Sequence, residues 1–468
     1  MHKRFDLLRF FQYLFRFNFG DFEREELKKF LRMGLIFALI IGVYWTLRPL
    51  KDAIFIQFVG KFQLPFAKTL SVLALLPIVL FYTKLLERTS REKMLLILPC
   101  FYGTSLLLLS FVMSLLQQDA SHFAELSYTS RMGLQALGYF WYFFVESFGS
   151  LVIALFWAFS ADTTSSIHAK RGFPLVVAIG QVGGIIFPYS IGGLPHRLHL
   201  LTDALSMSLL GFFTLLIIPL VRYFLRNTPK SLLASFHGKK LEESSSEKEP
   251  GFFEGLTLLL KNRYLLCIFG ANFIYEVVVT IFDFNFKIAA SSVYSGVALS
   301  NYFSLYGSSV NAVCLLSLLL GISNITRFLG IEFALSAMPI IVGGALLGFL
   351  SVDTLSFLFL LMVGSKAINY ALNGPALRQL YIPTTPEVKF KAQAWIETFG
   401  SRSSKQAGSV FNMSLAPLQG AFGAQLGRFY YLALSGAVCF PLLALWLCMA
   451  IFLGKSLKEA VKQNVTIC

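Results

Sequence analysis

Charge is scarce in this chain: only 14% of its 468 residues are Asp, Glu, Lys or Arg, against about 25% in an average soluble protein. Acids are scarcer still, 25 against 40 Lys and Arg, for a formal net charge of +15. Cysteine is sparse, and Cys100, Cys267, Cys314, Cys439, Cys448 and Cys468 contain no CxxC pair. That spacing offers neither a disulfide framework nor a thiolate metal site. The phosphate loop GxxxxGK[ST], HExxH and GxSxG are all missing. Nothing therefore reads as a nucleotide-hydrolysis engine, a zinc protease or a serine hydrolase. The histidines (His2, His122, His168, His196, His199 and His237) lie in ends and loops. An enzyme is not expected, and neither a cofactor nor a metal is called for.

What is abundant is apolar side chain. Hydrophobic residues make up 56% of the chain, Phe alone supplies 49, and the mean hydropathy is +0.67. A soluble core of this size cannot hide so much apolar surface, so lipid is the solvent for most of the chain. The apolar stretches are continuous rather than alternating, which excludes a β-barrel.

A helix needs about 20 apolar residues to cross a bilayer. Twelve stretches qualify: Phe30 to Leu47, Pro65 to Leu85, Met94 to Leu116, Gln135 to Ser160, Phe173 to Gly193 and Ala204 to Phe224 in the first half. Tyr264 to Phe284, Leu299 to Leu320, Phe328 to Leu350, Thr354 to Leu372, Ala394 to Leu418 and Phe429 to Phe452 follow in the second. Lys and Arg gather in alternate connections: the N-terminal segment, the loop of Arg88, Arg91 and Lys93, the loop from Arg226 to Arg263, and the tail after Gly454. Basic loops stay in the cytoplasm, which places both termini there and makes the positive charge a topology signal rather than a nucleic-acid surface. Phe5 to Phe17, rich in Phe and Leu with Arg interleaved, reads as an interfacial helix.

The expected organisation is a cytoplasmic amphipathic segment (1–29), a six-helix bundle (30–225), a cytoplasmic linker (226–263), a second six-helix bundle (264–453) and a tail (454–468). The stretch Lys239 to Pro250, charged and Ser-rich, divides the halves. A repeat supports the division. Thr163-Thr164 with Lys170 follows span four, and Thr384-Thr385 with Lys391 follows span ten, each with five residues between. Gln181-Val182-Gly183-Gly184 and Gln406-Ala407-Gly408-Ser409 come after them. Two parallel six-span repeats form the all-α, major-facilitator-like architecture. Gly180 with Gly184, Gly344 with Gly348, and Gly423 with Gly427 read as packing pairs.

Ionisable residues inside spans are costly and mark function. Arg48, Lys51 and Asp52 end span one, and Lys68 starts span two. Glu146 lies in span four, Glu276 and Asp283 in span seven with Lys287 beyond, Lys366 in span ten, and Glu397, Arg402 and Lys405 in span eleven. Bland readings compete with functional ones: Arg48 and Asp52 are spaced to pair on one helix face, and Lys68 and Lys287 are placed to reach headgroups. Glu146 has apolar helix on both sides and must face a partner or water. Basic groups outnumber acids here, which suits an anionic solute whose lost hydration Lys and Arg replace.

These residues carry a family resemblance. Thr46-Leu47-Arg48-Pro49-Leu50-Lys51-Asp52, then Pro65-Phe66-Ala67-Lys68-Thr69 and Leu76-Pro77, resemble the start of the non-mitochondrial ATP/ADP translocases of intracellular bacteria and plastids. The similarity continues through Phe156-Trp157-Ala158-Phe159, Ala169 to Leu175, Asp283 to Lys287, Tyr381-Ile382-Pro383 and Lys405 to Gly408. The resemblance implies a twelve-helix major-facilitator-like bundle that exchanges ATP for ADP, or in some members takes up nucleotides with protons. Its characteristic charges fall on Lys68, Glu146, Asp283 and Lys405, with Asp283 in place of Glu. Departures are the Pro49-Leu50 pair where the family has Asp-Thr, Gln406-Ala407 after Lys405 where it has Ser-Gly, and Leu377-Arg378 where it has Lys-Glu.

The expected function is secondary transport of nucleotides by alternating access, ATP/ADP exchange before proton-coupled symport of a nucleotide or another phosphorylated anion. Arg48, Lys51, Lys68, Lys287 and Lys405 are expected to hold phosphates. Asp52, Glu146, Glu276 and Asp283 are expected to balance those cations or carry a coupling proton. The chain is expected to work as a monomer in a bacterial inner membrane, with a nucleotide and the lipid bilayer as partners and no nucleic acid.

Overall fold

The computed structural model describes residues 20–116, 127–233, 252–320, 330–352, 354–385, 392–393, 395–396, 400–463 and 466–467. The interfacial stretch expected at Phe5 to Phe17, the divider at Lys239 to Pro250 and Glu397 lie outside these residues. Among the described residues the chain is helical, with no strand.

The long helices are α1 (Arg24–Phe58), α2 (Leu64–Arg88), α3 (Arg91–Leu116), α4 (Tyr128–Asp162), α5 (Ser166–Phe187) and α6 (Ala204–Asn227). They continue with α7 (Arg263–Val293), α8 (Gly296–Leu319), α9 (Ile331–Ser351), α10 (Leu355–Ile368), α11 (Ser401–Asn412) and α12 (Ala424–Gln463). Ten helices among the described residues are long and apolar enough to cross a membrane. Spans one to nine and span twelve of the sequence reading each fall on one of them.

The remaining two expected spans are broken. Span ten consists of α10, a π-helical turn at Asn369–Asn373 and a short helix at Gly374–Gln379. Span eleven includes α11 and a separate helix at Leu415–Phe422. The physical reason lies in their composition. Asn369, Asn373, Gly374 and Pro375 interrupt one span; the other breaks at the Met413–Ser414 turn, and its polar residues Arg402 to Gln406 lie within the continuous helix α11. Irregular or polar backbone at membrane depth persists only where protein or a wet cavity covers it.

The chain divides into two compact units. One consists of Met1–Gly60, Leu73–Ser245 and Val293–Leu320; the other of Lys61–Val72, Ser246–Ser292 and Gly321–Cys468. In the first unit α1 lies against α5 so closely that side chains must be absent. A Cβ on Gly183 would sit 2.0 Å from the Ala38 carbonyl oxygen, and one on Gly180 would meet the Phe37 ring at 2.5 Å. Gly184 likewise makes room for Asn311 of α8. In the second unit Gly348 admits Phe357, and Gly427 approaches the backbone of Gln419. Two of the expected packing glycines serve otherwise. Gly344 faces open space, and Gly423 sits at φ +81, where its freedom lets the chain turn into α12.

The repeated Thr pair has a local counterpart in each unit. Thr163 is buried and its hydroxyl donates to the Phe159 carbonyl at 2.9 Å. Thr384 is buried and donates to the Tyr381 carbonyl at 2.7 Å. Residues 386–391 of the second octet lie outside the described set.

Candidate functional site

In the second unit, charge is drawn to one residue of α7. Asp283 is 6% exposed on a mostly apolar helix, so its carboxylate needs partners. It has three. Lys287, one turn along the same helix, donates to Oδ2 at 2.6 Å. Lys68, in the first turns of α2, donates to the same oxygen at 3.0 Å. Lys366, near the end of α10, reaches Oδ1 at 3.3 Å. Lys287 and Lys366 are buried, and Lys68 is mostly so.

Each lysine arrives by a different physical route. The i to i+4 spacing stacks Lys287 over Asp283 on one helix face. Lys68 enters because α2 starts beside α7 within this unit. Its backbone is gripped there, since its carbonyl accepts from the Ser71 hydroxyl at 2.7 Å and from Gln406 Nε2 at 3.1 Å. Lys366 stands three residues before the π turn that ends α10. The headgroup reading of Lys68 and Lys287 therefore gives way to pairing with Asp283.

Seven residues before Asp283, about 10 Å along the helix axis, Glu276 makes a looser pair. Lys405 Nζ is 3.7 Å from Glu276 Oε1, and the Ser401 hydroxyl is 3.5 Å from the same oxygen. The Lys405 side chain is about half exposed, so this pair is wet where the Asp283 group is dry.

The first unit holds its own buried group. Lys51 of α1 donates to Glu146 of α4 and lies 3.6 Å from Asp52 Oδ1. Its ammonium also stands 4.2 Å from the centre of the Tyr142 ring, a cation–π contact on the helix that carries Glu146. Glu146 keeps 36% of its side chain exposed. The Arg48 guanidinium lies over the Trp45 ring at 5.5 Å. Asp52 thus meets Lys51, a partner that helical spacing did not pick out.

Sequence reasoning counted Lys366 among the intramembrane charges but gave it no part in binding. Its neighbour Ser365 and its place in an apolar run were the only signals. Gln406 stands in the sequence as part of the second repeated patch and as a departure from the family pattern, and its grip on Lys68 is a tertiary fact. Lys29 was not singled out at all. It is 1% exposed and donates to the carbonyls of Thr163 at 2.6 Å and Leu232 at 3.1 Å, which cap helix ends of the first unit.

Comparison with known proteins decides the family. The family model described as TLC ATP/ADP transporter matches residues 9–456. The chain belongs to that family. Among curated relatives, this TLC member is 24% identical over 487 residues to ADP,ATP carrier protein 1 of Rickettsia typhi (strain ATCC VR-144 / Wilmington), covering 94% of this chain and 96% of that one. Among solved structures, it is similar to a bacterial homologue of the iron transporter ferroportin, with TM-score 0.61 and 13% identity over 91% of this chain and 99% of that one. It is also similar to a bacterial homologue of the human lysosomal transporter Spinster, with TM-score 0.58 and 13% identity over 94% and 99%. At these identities the likeness concerns the fold alone. The TLC chain is an all-α, multi-pass membrane protein of major-facilitator-like architecture.

Proposed function

We propose that the chain exchanges nucleotides across a membrane, ATP against ADP, by alternating access. Family membership and the ADP,ATP carriers among its relatives support the reading. The observation that carries it on this chain is the convergence of Lys68, Lys287 and Lys366 on Asp283. Three ammonium groups from three elements around one carboxylate form a ready anion site. A phosphate offers the same lysines more oxygens and more charge than Asp283 does. Substrate phosphate then takes the lysines from Asp283, and Asp283 takes them back when the substrate leaves.

Lys405 extends this site, with Glu276 as its resting partner. Within the first unit Arg48 and Lys51 are candidate phosphate ligands, with Asp52 and Glu146 as the acids that balance them. The chain works as a monomer in the inner membrane of a bacterium, with both termini in the cytoplasm.

Proteoliposomes loaded with ADP, with ATP or with buffer alone test the exchange. Labelled ATP is expected to enter only vesicles that hold nucleotide. Equal uptake into all three rejects obligatory exchange. Uptake that follows a pH gradient and ignores internal nucleotide replaces it with proton-coupled symport.

A further inference from the structure

Beside the lysines, α11 carries two polar groups that no described residue satisfies. Gln406 Nε2 donates to the Lys68 carbonyl at 3.1 Å, which fixes the amide and leaves Oε1 as a committed acceptor. That Oε1 is buried without a hydrogen-bond partner among the described residues. Three residues on, the same is true of Ser409 Oγ, on a residue that is 0% exposed. Two other buried serines of this unit satisfy themselves within their own helix. Ser404 donates to the Gly400 carbonyl at 2.5 Å, and Ser435 to the Tyr431 carbonyl at 2.8 Å. Residues three apart share a helix face, so the two unfilled groups lie one turn apart on the face that grips Lys68.

A buried acceptor with no partner costs about 1–3 kcal/mol. Such a cost persists where a ligand relieves it. The ligand atom that relieves Gln406 must be a donor, and phosphate oxygens are acceptors. On a nucleotide held by its phosphates, the nearest donors are the hydroxyls of the sugar. Resting on the reading above, we infer that Gln406 and Ser409 form the sugar-recognising edge of the lysine site and select ribonucleotides over nucleotides that lack a sugar hydroxyl. Gln406 Oε1 accepts a hydrogen bond from the sugar hydroxyl, and Ser409 either donates to the sugar oxygens or accepts from them. The amide also couples recognition to charge, because its other end holds the backbone of Lys68.

The test compares affinities of the full-length protein for ADP, 2′-deoxy-ADP, 3′-deoxy-ADP and inorganic pyrophosphate, read as thermal stabilisation at increasing ligand. The wild type is expected to bind ADP about ten-fold more tightly than the analogue lacking the recognised hydroxyl, the factor that one hydrogen bond of about 1.4 kcal/mol supplies. Ser409→Ala removes one atom from a group with no partner and leaves the fold undisturbed. It is expected to bring ADP down to the level of the deoxy analogue while pyrophosphate binding stays unchanged, and Gln406→Met is expected to lose more affinity for ADP than for pyrophosphate. Equal wild-type affinity for ADP and both deoxy analogues overturns the inference. So does a loss of pyrophosphate binding as large as the loss of ADP binding, which would assign Gln406 to holding Lys68 alone. A wild type that binds neither ADP nor pyrophosphate overturns the proposed function itself, and is thereby told apart from failure of the sugar edge.

Discussion

Asp283 and Lys405 both belong to the proposed phosphate site but differ in what their loss should do. Asp283 is buried among three ammonium groups. Asp283→Asn leaves those charges facing each other without their shared acid. Breaking a buried ion pair in this way costs about 3–5 kcal/mol. Lower thermal stability together with lost exchange is expected, and unfolding followed by heat or denaturant in detergent checks it. Unchanged stability would mean that the lysines do not depend on Asp283. Lys405 is half exposed and 3.7 Å from its acid, a pair worth about 0–1 kcal/mol. Lys405→Ala is expected to keep the melting temperature and lose most nucleotide uptake, the signature of a binding role. The charged residues themselves were legible in the sequence, because a Lys or Asp inside an apolar run stands out. Their partners were not. Lys68 and Lys366 are 215 and 83 residues from Asp283, and no periodicity spans such distances. Only Lys287, one turn away, could have been paired with Asp283 by counting.

Helices of this length were legible for a simple reason: a run of apolar residues has nowhere to go but lipid, and in lipid a backbone must bond to itself. Ten of the expected spans follow that logic. Span ten does not, because Asn, Gly and Pro end the helix just after Lys366, and span eleven turns at Met413–Ser414, beyond Lys405. Interruptions in corresponding places of two halves are a sequence-level pointer to a transporter's binding region; here the first half has a π turn at Pro188–Gly192 in span five, and the second half has the breaks in spans ten and eleven. Glycine spacing was a weaker guide. Gly183, outside the expected pairs, has the Ala38 carbonyl 2.0 Å from where its Cβ would be. Backbone cannot step aside as a side chain does, so Gly183→Ala is expected to cost about 1–3 kcal/mol. Gly344→Ala, facing open space on α9, should be neutral or stabilise the helix by up to about 1 kcal/mol. Thermal unfolding of the two variants side by side checks the contrast, and equal effects would refute the packing assignment.

At the scale of the whole chain, the bias of Lys and Arg toward alternate loops predicts a topology. A reporter fused after Gln463, the last residue of α12, is expected to be cleaved by protease in inside-out vesicles and protected in intact cells. Protection in inside-out vesicles together with cleavage from the outer face of the membrane would reverse the orientation. That prediction needs no coordinates, and neither did the class of protein. Composition decided on membrane helices because apolar surface on this scale has no other solvent, and scattered motifs placed the chain among ATP/ADP translocases. What the sequence could not decide was company. The gathering of three lysines on Asp283, the Lys51–Glu146 pair and the two unfilled groups on α11 all depend on which helices lie side by side. Helix–helix contact in a membrane is set by close packing and buried polar pairing between remote segments, so those features exist only once the chain has folded.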